Sequence, residues 1–548
     1  MVPRADAERR MNAAAAGAGN LAGRRTPTAR TPGWRGRLLV CVAAVWATKA
    51  LAGSAVAAPV EQPCLRAAAV EFAVLPEVDA ATSSRVGARA SEVAGPLKTT
   101  ILLLDDAGRR FCIVTTHFGG TTPANVNSSL RRALAEKMGL PASHVWIFTS
   151  HNHSSVNFAA NPVPIYDLPA RGCPPVDWLP IGERFLAELL RHAEGLAGLL
   201  EPVTVWWAEG REDRITYNRK GRRADGTTFF MREEDRALAG ADYRGDVDTQ
   251  APIVVFKNSA GRSIAALCQF TGHPVTSYHP EKPVVFGDWP QVAADVLAEH
   301  LGAAGSVPVG FLQGCAGDVN SKEMFSGGVP RATEFGRLLG GSYVMALAEL
   351  KPSRRGGLDV AVETVRVPLA PLPPRSTLVA ELAEMDGFLE RTGAGDEDAL
   401  GCVGLNFPRA LSPLYRGRLV EMPRDWNLWA LDLHENGKAD SVPKELEMEI
   451  AVIRVGDVGI VGLPCEPFQG IGRIIRRDSP LPISVPCGYA NVSHGYITDG
   501  PNTGDREYMS AFYRYTKYRP PLEKPAGDVL AERAVEILRR FAEEPANR

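Results

Sequence analysis

Two histidines one residue apart, in Ser150-His151-Asn152-His153-Ser154, stand directly after the apolar run Val145–Thr149. A third, His273, lies in Thr271-Gly272-His273-Pro274, just past the apolar run 264–270. A carboxylate, Glu466 in Pro464-Cys465-Glu466-Pro467, comes just past 458–463, and a phenol, Tyr496 in His494-Gly495-Tyr496-Ile497-Thr498, follows the run 483–486. Side chains at neighbouring strand ends can converge on one point. Two imidazoles and a carboxylate suit zinc and leave positions open for water or substrate, the pattern of a catalytic rather than a closed structural site. Taken singly, each residue has a plainer reading: a strand-end H-x-H pair, a Gly-His-Pro turn, a helix-start carboxylate favoured by the helix dipole, a core tyrosine. Their recurrence at strand ends favours the joint reading.

The elements that must position these residues are apolar, β-branched runs separated by helical stretches. Runs 97–104 and 111–116 flank Asp105-Asp106-Ala107-Gly108, runs 253–257 and 264–270 flank Asn258-Ser259-Ala260-Gly261, and runs 449–455 and 458–463 flank Gly456-Asp457, each as a hairpin does. Helical periodicity predicts helices over 125–138, 185–200, 291–301 and 529–543, with further strands at 145–149, 203–208, 309–312 and 483–486. The fold class is α/β of the mixed kind, with hairpin-containing sheets flanked by helices. Two long segments, 161–180 and 211–248, break this grammar with Pro, Gly and charge, and are expected to wall a cleft. Residues 375–398 read as a polar helical insert, and no internal repeat is evident.

Hydrophobic residues make up 45% of the 548-residue chain and charged residues 23%, ordinary values for a globular protein. A net charge of -2 gives no electrostatic reason to expect nucleic acid or an anionic membrane, so the expected partner is a small or lipid-like molecule. Residues 1–37, rich in Arg, Ala, Gly, Thr and Pro, predict an unstructured arm. The apolar run 38–47 and the small residues Ala55-Val56-Ala57 then predict a secretory signal cleaved near Ala57, with one domain from 58 to 548 and no stable membrane span. An exported or periplasmic location permits disulfides among the eight cysteines left of nine, and none lies in a C-x-x-C pair.

The ordered series His151-Asn152-His153-Ser154, Asn218-Arg219, Thr271-Gly272-His273-Pro274, Gln313-Gly314-Cys315-Ala316-Gly317-Asp318-Val319-Asn320, Pro464-Cys465-Glu466 and Asn491 to Thr498 resembles the catalytic domain of the neutral/alkaline non-lysosomal ceramidases. The resemblance spans about residues 66 to 515 and rests on co-occurrence in order. It implies one zinc ion held by His151, His273, Glu466 and Tyr496. It also implies that His153 stands beside the metal to bond the scissile carbonyl or pass a proton, and that Arg219 donates to the developing oxyanion or a substrate hydroxyl. Asp318 becomes an outer carboxylate that orients a ligand or handles a proton.

Three departures stand out. Asn320 occupies the place of the family's serine in Gly317-Asp318-Val319-Asn320-Ser321, Cys465 replaces the glycine before the metal-binding glutamate, and the tyrosine segment ends Thr498-Asp499. Only about fifty residues follow Tyr496, fewer than the family's C-terminal immunoglobulin-like domain needs. The implied activity is hydrolysis of an amide, or an ester, by metal-activated water, with Asn320 able to orient substrate through its amide. One alternative is an amidohydrolase-type barrel, which the three hairpins disfavour. Another is a secreted binding protein on the same fold, which need not retain zinc.

Overall fold

The apolar runs are continuous rather than alternating because both of their faces are covered. In the computed structural model, which describes residues 65–543 apart from 83–87, 225–227, 241, 303–306, 505–508 and 517, they assemble into two main sheets. The arm and signal segment expected over residues 1–57 lie outside the described residues. The larger sheet contains β1 (Arg66–Val74), β2 (Leu97–Asp106), β3 (Arg109–Thr116), β4 (Val145–Thr149), β5 (Glu201–Arg211), β6 (Gln250–Asn258), β7 (Ser263–Phe270) and β8 (Val309–Gln313). Its spatial order is β8-β7-β6-β5-β1-β2-β3-β4, with Lys351–Pro352 pairing on β5. The smaller sheet runs β9 (Leu358–Pro368), β10 (Glu445–Val455), β11 (Val458–Gly462), β12 (Ile483–Cys487). Both sheets are open, which rules out the barrel alternative.

The principal helices are α1 (Ala124–Met138), α2 (Pro180–Ala193), α3 (Asp288–Leu301), α4 (Gly328–Ala346), α5 (Arg375–Gly393), α6 (Pro413–Glu435), α7 (Gln469–Asp478) and α8 (Asp528–Glu543). One device recurs three times: an antiparallel hairpin, a crossover helix, then a strand parallel to the second hairpin strand. It builds β2-β3-α1-β4, β6-β7-α3-β8 and β10-β11-α7-β12. Each unit delivers strand ends to the same region.

Period-two alternation sorts the core into layers. Leu102, Leu104, Phe111, Ile113, Trp146 and Phe148 point between the sheets, onto Ala451, Ile453, Ile460 and Val485 of the smaller one. Their neighbours Ile101, Leu103, Cys112, Val114 and Ile147 point the other way, onto Leu130 and Leu134 of α1 and Phe185 and Leu189 of α2. Further along the larger sheet, α3 and α4 cover Ile253, Val255 and Cys268, while α7 and α8 cover Ile450 and Val452 of the smaller. The result is helix, sheet, sheet, helix. Each of these large side chains stabilises the fold by about 1.5–3 kcal/mol, and a one-residue slip of any strand exchanges its two faces.

Several expectations meet corrections. The helix read over 185–200 runs Pro180–Ala193 instead, and Gly195, at φ 76°, turns the chain into a short 3-10 segment. Residues 211–248 are not wholly irregular, since they contain strands Thr216–Asn218, Lys220–Arg222 and Thr228–Phe230 and the helix Glu233–Ala239. Two long helices went unread. In α4, a Cβ on Gly336 or Gly340 would lie 2.4 or 2.5 Å from the Cβ of Val292 or Val296, so these glycines let α3 and α4 approach closely. In α6, Pro423 lies inside the helix and obscures its pattern. With α5 it forms the insert between β9 and β10, which has its own core of Met385, Phe388, Phe407 and Val420. None of the seven described cysteines is disulfide-bonded, and among the described residues no helix is long and apolar enough to cross a membrane.

Candidate metal centre and cleft

His151 leaves β4 with φ at 59°, a left-handed conformation that costs a residue with a Cβ about 1–3 kcal/mol. The segment just past β12 packs against this turn. The Tyr489 ring stacks on its imidazole with centres 4.2 Å apart, and the Asn491 side chain accepts the Ile147 N–H at 2.9 Å. His273 leaves β7 where its backbone bridges Asn320. Its Nδ1–H donates to the Ala316 carbonyl at 2.8 Å, which turns the Nε2 lone pair toward the cleft. Glu466–Pro467 pairs in parallel with Tyr496–Ile497, placing Glu466 opposite Tyr496.

The donor atoms converge. His151 Nε2 is 3.4 Å from Glu466 Oε2, His273 Nε2 is 3.3 Å from the same oxygen, and Tyr496 Oη is 3.5 Å from His273 Nε2. A tetrahedron with metal bonds of about 2.05 Å has edges of about 3.3 Å. Three of the edges among these four residues thus match tetrahedral spacing. His153 joins them, its Nε2 3.2 Å from that of His151, and the ligand atoms of His151, His153 and His273 all lie within 4.8 Å of one another.

Electrostatics favours the coordinating forms. Burial, reinforced by the positive charge of Arg219, lowers His273 to about 3, and burial beside His151 and His273 holds His153 well below its usual value. Burial alone would raise Glu466, but the facing His151 and His273 reverse the sign and leave its carboxyl well below the usual range. A neutral His273 imidazole and an anionic Glu466 carboxylate are donors of the kind a divalent cation requires. Burial also pushes the Tyr496 phenol up, against the pull of Arg219.

Arg219, buried behind this set, donates from Nη2 to Tyr496 Oη at 3.0 Å and to the Gly317 carbonyl at 2.7 Å, and from Nη1 to Asn320 Oδ1 at 3.0 Å. Asn320 thus contacts the arginine. Asp318 faces elsewhere: its Oδ1 accepts the Gln469 N–H at 2.8 Å, and its Oδ2 accepts Asn218 Nδ2 at 3.0 Å. It ties the start of α7 to the segment that presents Arg219. Ser321 Oγ accepts from Thr276 Oγ1 at 2.8 Å, away from the histidines. Sequence reading missed Tyr489, and also a buried chain behind the H-x-H loop in which Ser154 Oγ meets Ser277 Oγ at 2.8 Å and Ser277 Oγ donates to Asp288 at 2.7 Å. Positive φ at Tyr489 and Asp288 has no sequence signature in a non-glycine residue.

Two cavities meet at the histidines. One, of about 260 Å³, is bordered by Phe230, Met324, Phe325, Leu405, Leu411 and Leu419 together with Arg219, Asn406 and Glu466. The other, of about 290 Å³, is bordered by Thr122, Pro164, Tyr166, Ser493 and Thr516. Both long segments expected to wall a cleft contribute, through Tyr166 to one arm and Arg219 and Phe230 to the other.

No family model matches the sequence, and no curated protein matches it. Solved structures do share its architecture. The neutral ceramidase from Pseudomonas aeruginosa aligns over 87% of this chain and 75% of its own, at 16% identity and a TM-score of 0.54. A ceramidase complexed with C2 aligns over 87% and 76%, at 16% identity and a TM-score of 0.58. The class defined by fold and site is a mixed α/β protein with a ceramidase-like architecture. Within that architecture, this chain carries a histidine cluster able to hold a metal ion.

Proposed function

We propose that this chain is an exported zinc-dependent hydrolase that cleaves an amide (N-acyl) or ester bond by direct attack of water. The observation that supports it most is the convergence of His151, His273, Glu466 and Tyr496, with neighbouring donor atoms 3.3 to 3.5 Å apart, where two cavities meet. Zinc bound there supplies Lewis acidity and lowers the pKa of water to about 7. His153, whose Nε2 lies 3.2 Å from that of His151, is placed to take the proton of the attacking water and pass it to the departing nitrogen or oxygen. The carbon–heteroatom bond breaks, the water oxygen becomes part of the product carboxylate, and no electrons are exchanged with any cofactor. Arg219 donates to the carbonyl oxygen as it gains charge, and Asn320 holds the guanidinium in place.

No side-chain hydroxyl is assigned as nucleophile. Asn320 offers an amide, and the Ser321 hydroxyl is engaged with Thr276. A screen of neutral N-acyl amides and esters with Ser321→Ala alongside tests the route. The variant should keep activity within about tenfold, a barrier change of about 1.4 kcal/mol. A covalent acyl adduct on Ser321, or loss of turnover in Ser321→Ala with zinc intact, would overturn it. N-terminal sequencing of exported protein tests the location, with a start near Ala58 expected and an intact Met1 counting against export.

A further inference from the structure

Four residues just past β12, Gly488 to Asn491, stitch the two main sheets together where the candidate ligands emerge. Toward the larger sheet, the Gly488 N–H donates to the Gln313 carbonyl at the end of β8 at 3.0 Å, and the Asn491 N–H donates to the Ile147 carbonyl of β4 at 2.5 Å. Between them the Tyr489 carbonyl accepts the Thr149 N–H at 3.2 Å. Toward the smaller sheet, the Tyr489 N–H donates to the Cys465 carbonyl at 2.8 Å and the Ala490 N–H to that of Leu463 at 3.1 Å. The backbone of Tyr489 is thus bonded both to the residue that ends β4, just ahead of the H-x-H loop, and to the residue that precedes Glu466.

Those bonds deliver a ring. Tyr489 has φ at 56° and His151 at 59°, and residues with a Cβ keep such left-handed backbones only where the surroundings over-determine them. The Tyr489 ring stacks on the His151 imidazole, the planes 30° apart and the centres 4.2 Å apart, and it lies nearly perpendicular to the His273 ring, at 87° with centres 5.9 Å apart. The residue is only 1% exposed, and its hydroxyl has no hydrogen-bond partner among the described residues. The ring makes these contacts, and the polar tip does not.

Resting on the metal-centre reading, we infer that Tyr489 is a positioning residue for the metal: its ring, packed against two imidazoles of the ligand set and held by both ligand-bearing segments, fixes the planes of those imidazoles and so the direction of their lone pairs. Buried as it is, it acts through the histidines and not on substrate. Stacking needs no hydroxyl, so a phenyl ring serves as well and an aliphatic side chain does not.

The test compares the full chain with Tyr489→Phe and Tyr489→Leu, each stripped of metal and titrated with zinc against a chelating dye, while the visible absorption of the cobalt-loaded forms reads ligand geometry. Leu134→Ala, in α1 on the far face of the larger sheet, controls for a general loss of stability. Tyr489→Phe should bind zinc within about threefold of the parent chain, keep its cobalt bands and melt no lower, because it removes a buried hydroxyl without a partner. Tyr489→Leu should bind zinc about 10- to 100-fold more weakly, the effect of losing an outer partner of a ligand, and shift the cobalt bands. Leu134→Ala should melt lower yet keep both zinc affinity and bands. Parent-like affinity and bands in Tyr489→Leu overturn the inference and leave the metal reading standing. A weakening of that size in Tyr489→Phe also overturns it, even if Tyr489→Leu does not fold, because the hydroxyl then carries the effect. A parent chain that binds no zinc overturns the metal reading and the inference with it.

Discussion

Arg219 reaches three partners at once, the Tyr496 phenol, the Gly317 carbonyl and the Asn320 amide, and its guanidinium lies 5.4 Å from the centre of the Tyr496 ring. Such a donor is held before the reaction begins, so it pays no reorganisation when charge develops on the substrate. Arg219→Ala should lower kcat about 100-fold or more while zinc content stays unchanged. Equal loss of zinc and activity would instead assign Arg219 to holding Tyr496. The residue scale was legible in part. His151, His273 and Glu466 could be read because each follows an apolar run that ends abruptly. The direction of Asp318 could not, because it depends on where α7 begins and on Gln469 offering both its backbone N–H and its side chain.

Among the elements, the three hairpins and their crossover helices could be read from turn residues and doubly covered apolar runs. The insert was legible only through α5. Its second helix joins the cleft wall by contacts far apart in sequence, including Trp426, which packs with Leu378 of α5 and with Tyr513. Glu381 of α5 accepts from Arg514 at 2.8 Å, both side chains almost wholly buried, and this pair fastens the insert to the segment carrying Phe512 and Tyr515, which border both cavities. Glu381→Ala leaves a buried cation without this carboxylate. The expected loss is about 3–5 kcal/mol of stability, with faster proteolysis of the insert and metal content retained. Thermal melting and limited trypsin digestion check this, and an unchanged melting temperature would show that the pair contributes little.

At the scale of the whole molecule, the buried His117 at the end of β3 links stability to acid. Burial, aided by the charge of Lys98, lowers it from 6.5 to about 3, and its Nδ1 lies 3.1 Å from Ser150 Oγ, next to the H-x-H loop. The folded state keeps this imidazole neutral while the unfolded chain takes up a proton below pH 6.5. Its contribution is thus complete above pH 6.5 and is lost as pH falls toward 3, at up to about 1.4 kcal/mol per pH unit. Urea midpoints between pH 7.5 and 4.5 should fall less steeply in His117→Asn than in the parent chain, and identical slopes would remove His117 as the source.

The two sheets, their crossover helices and the cavities all meet at one set of donor atoms, and the account depends on a metal being bound there. The most direct measurement is metal content by mass spectrometry on the purified chain, alongside His151→Ala and Glu466→Gln, with circular dichroism to confirm that each variant is folded. The parent chain should carry about one zinc ion, and both folded variants should lose it, because removing one of few ligands leaves an open, weak site. A full equivalent of zinc retained by His151→Ala, or none bound by the parent chain after dialysis against zinc, would contradict the account.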